Sequence, residues 1–295
     1  MKVVLSRKGF DSAAGGFASP IIMPEGIMQS LPIPSDIGPR LYSEVKSHYK
    51  NKSIYDLIKL IRCDDKVRSG DWVGAERTGC HLDPDIDINA VKRPSGWLGA
   101  FGQAGASERQ LENQGVKEGD LFLFFGWFKE YRESGTDGSL KPVSKSDKHV
   151  IFGYLQIWQI VRVNQIDLIS DTIPQHVKEH PHTEKDFIDA HRENNSIYIS
   201  RESVSWDDDI PGYGLLRYCP EVILTAEGMP RSRWNLEDKW GLKHSDNKPG
   251  ITYHSEQSWK KDYFQSACRG QEFVIDENQA VTEWAEKLIS NYRCQ

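Results

Sequence analysis

The chain has 295 residues, 38% of them hydrophobic and 27% charged, and a formal net charge of −6 at neutral pH. That apolar share can build a full core, which excludes disorder over most of the length, and the acidic balance disfavours a sequence-independent grip on phosphate backbones, which needs a basic face. No run approaches the roughly 18 apolar residues of a membrane span, and the five cysteines (Cys63, Cys80, Cys219, Cys268 and Cys294) contain no CxxC pair, so the chain reads as soluble and cytoplasmic, with reduced thiols and neither a disulfide framework nor a zinc ribbon.

In chain order, KVVLS reads as a first strand. The stretch from Gly9 to Pro39 reads as ordered loop with a short strand around MQSLPIP, its order argued by Ile21, Ile22, Met23, Ile27 and Met28. Ser53 and Asp56 form a capping box, and Ile54, Leu57, Ile58 and Ile61 recur at helical spacing, which predicts a helix over 53–62. A second short helix is signalled by Ser107 with Gln110 and ends at Gly115. Between the two helices CHLDPDIDINAVKRPSGWLGAFGQAG is loop-like. From Gly119 the pattern turns to strands: DLFLFFGWF and HVIFGYLQIWQIVRV, joined by the polar KPVSKSDK, then NSIYIS, EVILTA and QEFVI. The chain closes on an amphipathic helix capped by Asp276, with Ala280, Val281, Trp284, Ala285, Leu288 and Ile289 on one face. Strands and helices do not alternate, and there is no internal repeat and no GxGxxG or GxxxxGK[ST] phosphate loop. The expectation is a single α+β domain over residues 1–295, with a mixed, β-rich core, a curved or barrel-like sheet and peripheral helices.

Six stretches could carry chemistry. SRKGFDSAAGG puts Arg7, Lys8, Asp11 and Ser12 just past a strand end, with Gly15 and Gly16 freeing the backbone for a ligand. Arg7 could clamp a phosphate or carboxylate, Lys8 could neutralise developing charge and Asp11 could act as a base; the alternative is a solvated turn. In CHLDPDID, His81, Asp83 and Asp85 alternate and could hold magnesium or manganese or supply an acid and a base, unless this is simply an acidic turn. In EHPHTEKDFIDAH, His180, His182 and His191 invite zinc, but their spacing matches no motif and the flanking charges resemble an exposed helix face, so solvated histidines are the expectation. No metal ligand is assigned, no zinc is expected and magnesium stays open.

The fourth stretch, NQGVKEGDLFLFFGWF followed by HVIFGYLQI, resembles the core of PUA-like and EVE-like small barrels over about 116–166, which hold a nucleobase beside the barrel. Phe122, Phe124 and Phe125 read as core, while Trp127 and Phe128 near the strand end are candidates for stacking. The last stretches are LTAEGMPRSRWNLEDKW, which gathers Arg231, Ser232 and Trp234 after a strand, and CRGQEFVID, which carries Gln271 and Glu272 on a late strand; Glu272 is either a catalytic carboxylate or a structural one paired with a cation.

Taken together, LSRKGFDSAAGGFASPI, SLPIP, HLDPDI, FGQAGASERQLENQGVKEGDLFLFFGWF, HVIFGYLQI, LTAEGMPRSRW and GQEFV resemble the third of the nucleotide modification associated domain families, proposed as DNA base hypermodification proteins. The resemblance runs from residue 3 to residue 274. It implies a theme of phage or bacterial nucleotide modification, with a nucleotide, a modified base or DNA as partner, and names neither a reaction nor a catalytic residue. The expectation is therefore a nucleotide- or base-modifying transferase or hydrolase whose site lies between the opening loop and the 81–85 loop, with Arg7 and Asp11 facing the same cavity as His81, Asp83 and Asp85. In that site Asp11 or Glu272 would be the base, and Trp127 or Trp234 would stack a base. The alternatives are a non-catalytic reader of modified bases and a structural partner in a modification or defence complex.

Overall fold

A computed structural model describes residues 1–37, 40–61, 78–135, 138–163, 175–243, 245 and 248–294, the side chain of His176 excepted. Cys63, the last residue of the 53–62 helix and the Pro39 end of the first loop lie outside the described residues.

The fold is α+β and β-rich, built on a curled, half-barrel sheet of ten strands. Its main path runs from the Glu272–Val274 strand through Val3–Arg7, Leu121–Ser134, Lys148–Arg162 and Asn195–Ser200 to Ala100–Ala104. Val3–Arg7 and Ser19–Met23 both run parallel to Leu121–Ser134, and the other neighbours are antiparallel. Two bulges in Lys148–Arg162, at Ile151/Gly153 and at Ile157/Gln159, increase the local twist; the second leaves Trp158 turned outward and half exposed. The curl brings the two end strands together through side chains: the Gln103 amide on one donates to Glu272 on the other at 2.5 Å. The Gly105–Asn113 helix packs on both ends.

Residues Leu121 to Phe125 are all fully buried because their strand is covered on both faces. One side meets Phe101 and Tyr198 within the curl, and the same core includes Val281, Ala285, Leu288 and Ile289 of the C-terminal helix, Gln279–Tyr292. This is why the segment is a continuous apolar run rather than an alternating one. Phe128, a candidate for stacking, is equally buried and belongs to the core.

The helix expected over 53–62 forms as Ile54–Ile61, and its capping box is real: the Asp56 amide donates to Ser53 Oγ, and the Ser53 amide reaches back toward the Asp56 carboxylate. Four local readings change. AFGQA, in the stretch read as loop-like between the two helices, forms the Ala100–Ala104 end strand of the sheet. Ser19–Met23 lies in the stretch read mostly as loop, yet it pairs along Leu121–Ser134, because the long central strand offers an edge to apolar residues that carry no alternating pattern of their own. EVILTA forms no strand; Pro220 opens a 3-10 turn and the rest makes only single bridges. The C-terminal helix is capped by Asn278, whose side-chain Oδ1 accepts from the Ala280 and Val281 amides, rather than by Asp276.

Candidate metal centre

Two segments about 100 residues apart in sequence meet beside the Ala100–Ala104 strand. The first is the loop that follows the Gly79–His81 strand, whose His81 pairs with Ile33. It is fastened by the mutual backbone bonds of Asp85 and Ala100, both at 2.8 Å. The second is the turn Pro181–Thr183, docked against the start of the Asn195–Ser200 strand. Gly102 makes room between them. A side chain at that position would place its Cβ 2.5 Å from the His182 ring and 2.7 Å from His180, so only glycine lets the two imidazoles close on the strand.

His180 and His182 are each 3% exposed, which overturns the expectation of solvated histidines. The short Lys185–Ala190 helix after them buries none of its residues, as read from the sequence, but its Phe187 ring lies over His182 at 4.2 Å and over His81 at 5.7 Å.

At the centre is Asp83. The Gly102 amide donates to its Oδ1 at 2.9 Å, leaving Oδ2 to face His81 Nε2 and His182 Nε2, both at 3.6 Å. These separations are too long for hydrogen bonds. They match the distance between two ligands of one ion, about 3.4 Å for a tetrahedral centre with bonds of roughly 2.0–2.2 Å. One donor atom from each of His81, Asp83 and His182 falls within 4.8 Å of the others.

The protonation of His182 follows from its neighbours. Asn195 Nδ2 donates to the His182 carbonyl at 2.9 Å, which fixes the amide so that Asn195 Oδ1 faces His182 Nδ1 at 2.8 Å. Nδ1 therefore carries the proton, and Nε2 presents a lone pair to Asp83. Burial holds His182 well below its ordinary value, against the pull of Asp83, so the ring is neutral. Burial also works to raise Asp83, but the attraction of His180 and His81 outweighs it and the carboxylate stays ionised, well below the usual range. A neutral ring nitrogen and a carboxylate oxygen then face each other with no proton between them, an arrangement that a cation relieves.

His180 stands apart from this set. Its Nδ1 accepts from the His182 amide at 3.2 Å, so in the neutral ring Nε2 bears the proton; that atom is buried without a hydrogen-bond partner, 3.7 Å from Asp83 Oδ1. It is a proton donor beside the centre rather than a ligand. Spacing along the chain offers no zinc motif, whereas these donors assemble through space.

The other candidates divide. Lys8, Gln271 and Glu272 come together at the junction of the sheet's ends. Glu272 is fully buried and accepts from Lys8 at 2.6 Å, Gln103 at 2.5 Å and Ser6 at 3.1 Å, while its Oε2 has no partner. Gln271 Oε1 lies 3.5 Å from Gln103 and 3.4 Å from Ser107. Gln103 faces this group while the adjacent Gly102 faces the imidazoles, so one strand separates the two clusters. Arg7 donates to the Ala267 and Cys268 carbonyls and lies over the Phe125 and Phe273 rings. Asp11 is exposed and caps its own turn, accepting from the Ala13 and Ala14 amides at 2.7 Å. Ser12 is exposed beside it, and Gly15 and Gly16 take left-handed conformations, with Gly15 packed on the Phe10 ring. Among the described residues no hydrogen bond or ion pair joins Arg7 or Asp11 to the 81–85 loop. SRKGFDSAAGG turns a corner, and of its polar residues Ser6 and Lys8 reach a buried cluster.

Asp85 is forked by the Arg93 guanidinium, which opposes the upward push of burial on that carboxyl. Arg231 lies over the half-buried Trp127 ring at 4.1 Å, and Trp127 donates to Asp147 at 2.7 Å. The Ser232 carbonyl accepts from the Ser266 amide at 2.8 Å. Trp234 is wholly buried, its indole donating to His149 at 3.0 Å, so it offers no face to a base.

The family model described as nucleotide modification associated domain 3 matches residues 2–276. No curated protein and no solved structure matches the chain.

Proposed function

The chain belongs to the nucleotide modification associated domain 3 family, and from that membership and the geometry above we propose that it is a metal-dependent enzyme that modifies a nucleotide or a nucleic-acid base. The observation that carries the reading is the convergence of His81 Nε2, Asp83 Oδ2 and His182 Nε2, with the His182 lone pair aimed at the carboxylate. Two imidazoles and one carboxylate suit a divalent ion of the iron, manganese or zinc type and leave coordination positions open, which is the mark of a catalytic site rather than a structural one. An ion so held can polarise a substrate oxygen or activate a bound water, and His180 Nε2–H stands beside it as a proton donor.

This reading moves the site from the opening loop to the junction of the 81–85 loop with the His180–His182 turn. It is favoured over a base-reading module because Trp234 has no exposed face and Arg231 already lies over the Trp127 ring. The test is metal analysis of the purified chain and of His81→Ala and His182→Ala variants, together with mass spectrometry of nucleosides from cells expressing each. About one ion per chain in the wild type, lost in both variants along with a new nucleoside, is the expected result. A new nucleoside that persists in His182→Ala, or wild-type protein that takes up no iron, manganese or zinc, refutes the reading.

A further inference from the structure

Against the proposed centre lies a second feature that the metal does not use. A cavity of about 50 Å³ is walled by Arg40, Lys92, Arg93, Trp97, Glu179 and His180, with Asp85 at its side. Because about 10–15 Å³ of such space holds one water, the cavity has room for a few waters or for one group of phosphoryl size.

Its charge is unbalanced in favour of cations. Asp85 is already taken up by the Arg93 fork, and Arg40 and Lys92 have no ion-pair partner among the described residues, which leaves two cations against Glu179. Two of its wall residues also hold buried donors without acceptors: Arg93 Nε and His180 Nε2. The Arg93 guanidinium is fixed in place by Asp85, by the Asp87 carbonyl and by the Trp97 ring 4.0 Å beneath it, so its free Nε–H is held ready rather than mobile. Buried donors of this kind find an acceptor in water or in a ligand, and a group rich in acceptor oxygens and negative charge satisfies both.

We propose that this cavity is an oxyanion subsite that seats a phosphoryl group of the substrate beside the metal, so that the substrate is a nucleotide or a nucleic-acid strand rather than a free base or nucleoside. The inference rests on the metal-centre reading only for what the phosphoryl group is placed against; the subsite itself stands on the cavity, its cations and its two unsatisfied donors. The acidic balance of the chain as a whole agrees with a single local phosphate contact rather than a long basic track.

The test is titration calorimetry of the full chain, zinc-loaded and chelator-treated, with inorganic phosphate, a nucleoside 5′-monophosphate, the matching nucleoside and succinate. Wild type is compared with Arg40→Ala, Lys92→Ala and the double variant, with circular dichroism confirming the fold of each. Phosphate and the monophosphate are expected to bind and the nucleoside to bind at least tenfold more weakly. The double variant should lose at least tenfold for phosphate while its zinc affinity stays within twofold. Absence of phosphate binding at millimolar concentration, phosphate binding unchanged in the double variant, or succinate binding more tightly than phosphate overturns the proposal. Phosphate binding that depends on Arg40 and Lys92 in a chain that takes up no metal supports the subsite and refutes the metal centre alone, so the two failures are told apart.

Discussion

Asn195→Ala tests whether the centre is aimed by its surroundings. Asn195 is 3% exposed and makes two bonds to one residue: its Oδ1 receives His182 Nδ1–H at 2.8 Å, and its Nδ2 donates to the His182 carbonyl at 2.9 Å. Alanine strands both His182 groups in a dry environment. At roughly 1–3 kcal/mol for each of the two buried polar groups left unpaired, the expected cost is about 2–6 kcal/mol of stability. Losing the partner that fixes a metal-ligating imidazole typically weakens metal binding by about 10–100-fold, which is about 1.4–2.7 kcal/mol. The assay is zinc affinity by competition with a chromogenic chelator, run beside urea denaturation. Asn195→Asp separates positioning from packing: its carboxylate still accepts from Nδ1–H but opposes the His182 carbonyl, so it should lose stability like alanine while keeping metal affinity within about threefold of wild type. An Asn195→Ala chain that folds and binds zinc within twofold of wild type, or an aspartate variant as weak as alanine, refutes the argument.

Gly102→Ala should lower zinc affinity at least tenfold, because the added methyl lies 2.5 Å from His182 and the rings must retreat; unchanged affinity in the same chelator assay would show that the imidazoles have slack. Lys8→Met leaves the fully buried Glu272 without its cation and should cost about 3–5 kcal/mol in urea denaturation, most of it restored in Lys8→Met/Glu272→Gln; additive losses would mean that the pair is not coupled. Burial, with Arg7 and Arg231 nearby, pushes His149 down to about 3 from its ordinary 6.5. The unfolded chain then takes up a proton that the native state does not, so stability is lost as pH falls below about 6.5, by roughly 2 kcal/mol at pH 5 from this group. His149→Phe should flatten that slope by about one proton; a denaturation series from pH 7 to pH 5 with the slope unchanged would refute the assignment.

Much of this architecture is local and was therefore legible in the residues. Ser53 and Asp56 close a box three residues apart, Ile54 to Ile61 repeat at helical spacing, and NSIYIS is a strand with the bounds its residues suggest. The run DLFLFFGWF announced a buried strand, though not that both of its faces are covered. Glu272 reads from its sequence as either a catalytic carboxylate or a structural one paired with a cation, and the curl of the sheet makes Lys8 that cation.

The candidate centre was only half legible. CHLDPDID offers His81 and Asp83 as ligands, while the spacing of HPH fits no motif and its flanks are charged. A coordination sphere is defined by distances through space, and each fragment supplies only part of the set. Joining them requires a loop fastened to Ala100, a turn tied down by Asn195 and a glycine at 102 that lets the rings approach, none of which leaves a periodic trace. In the same way SRKGFDSAAGG looks like a site because it concentrates charge after a strand, yet Asp11 satisfies the amides of its own turn. Sequence alone determined which side chains could carry charge, donate or ligate, since that is fixed by their chemistry. Only the tertiary structure decided which of them are dry and which face one another, because desolvation and distance set the energy of a buried donor or charge, and both are properties of the packed chain.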